Sequence, residues 1–181
     1  MASYLVVIYG APLSGKSTLA WRLAKSLPGK TAVISFDGLI QGSIAVRAED
    51  EAGELEMVHT QARLLTANYM KNGYNVVVEG PFFYRTSEHM HRFEPDIDQL
   101  VSLMRQMTSR CLLVRLIASP EAITRRATDA WREDELSESL EIAGLYKARD
   151  ASTALTLDMT EQDIDEAAAA VREKLLARDF A

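Results

Sequence analysis

Cysteine, histidine and proline are scarce in this chain of 181 residues: one, three and five respectively. A lone Cys111 excludes an intrachain disulfide framework and a Cys-x-x-Cys zinc site. Of the histidines, His59, His89 and His91, only the last two are close in sequence, which argues against a His-rich metal site. No apolar run approaches the roughly 20 residues of a membrane helix. The opening MASYLVVIY lacks a basic flank, and its apolar stretch is too short for a secretory leader. Excess positive charge is also missing, with 20 Lys and Arg against 26 Asp and Glu. The net charge of −6 does not give the basic field of a duplex-binding module, so extended nucleic acid is not an expected partner. A cytoplasmic protein with no membrane association is the simplest expectation.

What remains is ordinary globular composition, 48% hydrophobic and 25% charged, at a length that suits one domain over residues 1–181. Short apolar runs alternate with longer helical stretches. Tyr4–Tyr9, Ala32–Phe36, Asn75–Glu79, Cys111–Ala118 and Ala154–Leu157 read as strands. Leu19, Leu23 and Leu27 recur at helical spacing, as do Leu55, Val58, Ala62, Leu65 and Tyr69. Two further helices are expected over Ile97–Met107 and from Ile164 to Leu175, the second opened by Thr160 with Asp163. Ser119-Pro120-Glu121 is a strong helix start. The helical stretch after it runs to about Arg149, with a break near Glu133-Asp134. Asp37 to about Asp50 and Gly80 to Glu94 read as loops. The pattern predicts an α/β fold: a five-stranded parallel sheet with helices on both faces. Ligands of such sheets bind beyond the carboxyl ends of the strands, which puts Gly10–Ser17, Asp37 and Glu79–Arg85 on one rim.

One segment on that rim carries a specific chemistry. Gly10, Ala11, Pro12, Leu13, Ser14, Gly15, Lys16 and Ser17 match G-x-x-x-x-G-K-[ST] in full, between a strand and a helix; Thr18 follows. Gly10 and Gly15 permit backbone angles and close approaches that a Cβ would block. The loop amides and the positive end of the following helix then face phosphate. Lys16 is placed for the β- and γ-phosphates, and the Ser17 hydroxyl for Mg²⁺. A phosphate chain with Mg²⁺ is the ligand this loop is expected to hold. A guanine-specific Asn/Thr-Lys-x-Asp motif is missing.

With GAPLSGKST at Gly10–Thr18, ISFDGLI at Ile34–Ile40, VVVEG at Val76–Gly80 and LLVRLIASPEAITRR at Leu112–Arg126, the chain resembles the small P-loop kinases of adenylate-kinase-like topology. These include gluconate kinase, the kinase domain of polynucleotide kinase, zeta-type toxins and chloramphenicol phosphotransferase. The resemblance implies sheet order 2-3-1-4-5 and phosphoryl transfer from ATP to a hydroxyl. It implies that Asp37 orients the attacking hydroxyl or takes its proton. It also implies that arginines after the fourth strand close over the phosphates, from a short lid around residues 125–149. Arg125 and Arg132, seven apart, share a helix face, and Arg126 points about 100° away from Arg125. Arg126 and Arg132 are the expected catalytic pair, with Arg125 beside the nucleotide; the alternative is a solvated basic face that pairs with Glu133–Glu135.

Glu79 stands where many P-loop proteins hold Mg²⁺ through water. It reads equally well as a strand-end acid paired with Arg85 or Lys16. Phe82, Phe83 and Tyr84 could wall an acceptor pocket with Arg85 as its anion handle, or pack on the core. His59 borders an apolar stripe and reads as a packing residue. Arg115 is unusual inside a buried strand, where it would sit at an interface or pair with an acid. Two functions fit: a kinase acting on a small hydroxyl compound, and an ATP-binding regulatory module with slow ATPase activity and no acceptor.

Overall fold

Alternation along the strands sorts their side chains onto two faces, and both faces are buried. In β1 (Leu5–Gly10), Leu5, Val7 and Tyr9 join one core while Val6 and Ile8 join the other. In β3 (Asn75–Gly80), Val76 and Val78 face the first core and Val77 the second. Residues buried on both faces need parallel neighbours covered by helices above and below. The computed structural model describes residues 3–43, 51–80, 82–85, 90–92, 102, 106, 110–148 and 154–177.

Around β1 and β3 lie α1 (Lys16–Ser26), β2 (Thr31–Ser35), α2 (Phe36–Ser43) and α3 (Glu51–Lys71). A small pair, β4 (Phe83–Arg85) and β5 (Met90–Arg92), follows. Then come β6 (Cys111–Ile117), α4 (Pro120–Asp129), a 3₁₀ turn (Glu133–Glu135), α5 (Leu136–Ala148), β7 (Leu155–Asp158) and α6 (Ile164–Ala177). The main sheet has five parallel strands in the order β2-β3-β1-β6-β7. This is the expected 2-3-1-4-5, with β4 and β5 standing apart as an antiparallel pair. Val58 and Ala62 of α3 and Ile142 and Tyr146 of α5 pack on one face. Leu19 and Leu23 of α1 and Ala167, Ala168, Val171 and Leu175 of α6 pack on the other. No helix among the described residues is long and apolar enough to cross a membrane.

Three local expectations need correction. The stretch after β2 is a helix at first and not a loop. Ser35 Oγ accepts from the Gly38 backbone N–H at 3.2 Å, which caps the start of α2, and Phe36 anchors it in the core. The expected loop after β3 contains the β4–β5 pair. The cap of α6 is Asp163 and not Thr160: Asp163 Oδ1 accepts from the N–H groups of Asp165 at 2.8 Å and Glu166 at 3.3 Å. Thr160 instead donates to Asp158 Oδ1 at 2.6 Å and accepts from the Ser119 N–H at 2.9 Å, so it ties the loops after β6 and β7 together. The expected start at Ser119 holds, with Ser119 Oγ accepting from the Ala122 N–H at 3.2 Å. The helix expected over 97–107 lies outside the described residues, apart from helical Ser102 and Gln106.

Arg115 has partners that the sequence does not reveal. Its guanidinium donates to Thr156 Oγ1 on the adjacent strand at 3.2 Å and to the Tyr146 carbonyl at 3.0 Å. That carbonyl lies in the last turn of α5, where helix carbonyls lack intrahelical donors and a cation is favoured. His59 is buried, its ring 4.7 Å from Phe36 and 6.2 Å from Phe82. Burial, helped by the charge of Arg63, lowers its pKa to about 4. Unfolding therefore takes up a proton between that value and the ordinary histidine range, and stability falls as pH drops through this window. Denaturant melts should lose about 2 kcal/mol between pH 7.5 and 5 through His59. His59→Met should flatten that part of the profile; an unchanged slope would show that another group is responsible.

Candidate active site

The register of the sheet decides which residues meet at its carboxyl rim. Gly10 lies opposite Leu116, and Ile8 opposite Glu79. The chain leaves β1 so close to β6 that a Cβ on Gly10 would sit 2.5 Å from the Leu116 carbonyl oxygen and 3.0 Å from Ser14 Oγ. Only glycine fits there. The loop then turns through Leu13 at φ +63° and Gly15 at φ +97°, and α1 begins at Lys16. The wound loop brings Lys16 back over its own start, where Nζ donates to the Ala11 carbonyl at 2.9 Å. Lys16 is 5% exposed. Burial lowers its pKa, while the negative charges of Glu79 and Asp37 oppose that shift.

Ser17 and Glu79 meet across the sheet rim: Ser17 Oγ donates to Glu79 Oε1 at 3.1 Å. Glu79 is fully buried, and its second oxygen, Oε2, has no hydrogen-bond partner among the described residues. An unsatisfied buried carboxylate oxygen beside a hydroxyl is a hard-oxygen pair, and this donor set fits Mg²⁺. Ser14 Oγ, inside the loop, is likewise buried without a hydrogen-bond partner.

A cavity of about 520 Å³ opens over the loop. Residues Pro12 to Thr18 line it together with Asp37, Arg126, Asp129, Ala130, Arg132, Met159, Gln162 and Ile164. Asp37 sits in the first turn of α2, the helix that Ser35 caps. The three arginines take different directions. Arg126 donates to the Leu13 carbonyl at 3.1 Å and to the Met159 carbonyl, so it ties the glycine-rich loop to the segment after β7. Burial, and then the neighbouring Arg125, lowers its pKa. Arg132 holds Glu135 with both arms of its guanidinium, Nε to Oε1 at 2.7 Å and Nη2 to Oε2. That hydrogen bonding raises its pKa, with Asp37 among the smaller contributing charges. Arg125 is exposed, 3.6 Å from Glu161, and does not line the cavity.

The acceptor-pocket residues separate. Phe82 is 1% exposed and packs with its ring tilted against Phe36, centroids 4.9 Å apart, so it is a core residue and not a pocket wall. Phe83, Tyr84 and Arg85 form β4, and of these the backbone alone is described. Pro81 and the segment 86–89 lie outside the described residues. The pairing of Arg132 with Glu135 is the alternative the sequence offered for that arginine, whereas the cavity lining from Met159, Gln162 and Ile164 was not read from the sequence. The available signal for those three was position: they follow the last parallel strand, whose carboxyl end also meets the rim.

Comparison with known proteins agrees with this architecture. No curated protein matches the chain. Among solved structures, APE1195 superposes with a TM-score of 0.64 at 21% identity, over 98% of this chain and 97% of that one. A candidate kinase from Chloroflexus aurantiacus gives 0.63 at 18% identity, over 97% of each chain. A shikimate kinase from Acinetobacter baumannii, in complex with shikimate, gives 0.60 at 13% identity, over 99% and 96%. At these identities the likeness is one of fold, a P-loop fold of adenylate-kinase-like topology. The family model described as "AAA domain" matches residues 5–141, from β1 through the phosphate loop and α4 into α5, and the chain belongs to that family.

Proposed function

We propose that the chain is an ATP-dependent phosphotransferase that moves the γ-phosphoryl group to a hydroxyl of a small molecule. The observation that carries this reading is the convergence of Lys16, Ser17, Asp37, Arg126 and Arg132 on one cavity, with Glu79 behind Ser17. A nucleotide-binding module without an acceptor needs the loop but has no use for an acid such as Asp37 facing it. The likeness to a shikimate kinase favours a small-molecule acceptor over a polymer.

In this reading the loop amides and the N-terminus of α1 bind the triphosphate. Lys16 leaves the Ala11 carbonyl for the β- and γ-phosphate oxygens. Ser17 and Glu79 would hold Mg²⁺, which neutralises phosphate charge when bound. Asp37 orients the acceptor hydroxyl and takes its proton as the acceptor oxygen bonds to the γ-phosphorus and the bond to ADP breaks. Such transition states are loose, so positioning and charge matter more than the base. Arg126 fixes the shape of the loop. Arg132 exchanges Glu135 for phosphate oxygens, as residues from Arg125 to Ala148 close like a lid. Arg125, paired with Glu161 outside the cavity, would reach the nucleotide only by moving with that lid.

A panel of metabolites and antibiotics, scored for ATP consumption and for a phosphorylated product by mass spectrometry, tests the reading directly. ATP turnover that no acceptor stimulates would favour the regulatory module. Lys16→Ala should abolish turnover in a protein that still folds, because the side chain serves the phosphates from outside the core. Full activity in that variant, checked by circular dichroism, would overturn the kinase reading. Asp37→Asn should lower kcat and kcat/KM together by roughly 10²–10⁴-fold and leave ATP affinity nearly unchanged. A parallel loss of Mg²⁺-ATP affinity would instead place Asp37 in the metal site. Hydrogen exchange over residues 125–148 should slow on addition of Mg²⁺-ATP; equal exchange with and without nucleotide would remove the lid.

A further inference from the structure

α4 ends in a way that favours glycine, and the residue there is tryptophan. The Arg132 N–H donates to the Ala127 carbonyl at 2.9 Å and the Trp131 N–H to the Thr128 carbonyl at 3.2 Å. This pair of bonds is a Schellman motif, whose left-handed position is usually glycine. Trp131 occupies it at φ +57°. The strain is not offset by packing, because Trp131 is 88% exposed, the most exposed of the large hydrophobic side chains described. A strained backbone and a bare indole both work against stability, and strain of this kind points to a role elsewhere.

Its place in the fold supplies the role. Ala130 and Arg132, on either side of Trp131, line the cavity over the phosphate loop, and so does Asp129. Met159, Gln162 and Ile164 line the same cavity. No aromatic side chain lines that cavity among the described residues. The loop amides and Lys16 read phosphates and are indifferent to whatever the phosphates carry. A purine there would have an apolar edge and a polar group beside it, and no π-surface. We infer that Trp131 is the nucleobase platform: its indole stacks on the adenine of ATP when the α4–α5 segment closes, and this stacking makes the site prefer a nucleotide to bare polyphosphate. The inference rests on the nucleotide-binding reading above and adds to it the residue that recognises the base.

Two ligands with the same phosphate chain, one lacking a base, separate the possibilities: Mg²⁺-ATP and Mg²⁺-tripolyphosphate. Trp21, the other tryptophan, is replaced by Phe so that Trp131 alone reports fluorescence. Trp131 emission should be quenched by ATP and not by tripolyphosphate. Trp131→Gly should weaken ATP binding by about 10-fold, within the range of base–aromatic stacking, and leave tripolyphosphate binding unchanged. Without ligand, the same variant should melt about 2–4 °C higher, because glycine relieves the left-handed strain. That rise also shows that lost affinity is not lost folding. Equal weakening of both ligands would mean that Trp131 serves the phosphates, and no weakening of ATP would mean that it serves nothing in the nucleotide site; either result overturns the inference. A fall in kcat/KM for an acceptor at unchanged ATP affinity would assign Trp131 to the acceptor and also overturn it. A wild-type chain that binds tripolyphosphate but not ATP sinks the base platform alone, and one that binds neither ligand sinks the nucleotide reading with it.

Discussion

A lysine side chain withdrawn from water is the constraint around which the rim of this protein is organised. Lys16 is almost wholly withdrawn from water, and an unpaired ammonium in such a place loses its proton or destabilises the fold. Three features oppose that. The Ala11 carbonyl accepts from it, and the charges of Glu79 and Asp37 raise its pKa against burial. Each depends on a different strand: Ala11 follows β1, Asp37 follows β2 and Glu79 closes β3. The parallel register that aligns Ile8 with Glu79 thereby sets the electrostatics of the loop.

The same loop depends on contacts too tight for any residue but the one present. Gly10 passes β6 with no room for a Cβ beside the Leu116 carbonyl, and Gly80, directly after Glu79, has the Phe36 ring 3.0 Å from where its Cβ would be. Phe36 in turn packs against Phe82 and His59 with tilted rings, so this aromatic cluster anchors the chain next to Asp37 and Glu79. On the far side, Arg126 ties Leu13, itself in a left-handed conformation, to the carbonyl of Met159. Core packing on one flank and a guanidinium on the other fix a glycine-rich loop that has little intrinsic preference for one shape.

The segment from Arg125 to Glu135 is held differently. Its described side chains are mostly exposed, and the ion pairs there, Arg125 with Glu161 and Arg132 with Glu135, lie at the surface. Such pairs contribute little to stability and exchange readily. Under the proposed function, such pairs would let these arginines exchange their carboxylate partners for phosphate oxygens.

The sequence by itself determined the strand–helix alternation, the sheet order through its family resemblance, and the phosphate loop. Those features are written in local patterns: β-branched runs, helical periodicity, and glycines at fixed spacing before a lysine. The break at Glu133-Asp134 and the helix start at Ser119-Pro120 were legible for the same reason, since caps and breakers act over three or four residues. Tertiary structure decided what depends on partners far along the chain. Whether Phe82 walls a pocket or fills the core turned on Phe36, forty-six positions earlier. Arg115 found its acceptors in Thr156 and Tyr146. Arg126 and not Arg125 faces the loop, because the docking of α4 on the sheet rim, and not helical spacing alone, chooses which of two adjacent arginines turns inward. Glu79 was ambiguous until the register of β1 and β3 brought its carboxylate against Ser17. Side-chain partners that far apart leave no local signature, because only the packed sheet brings them within hydrogen-bonding distance.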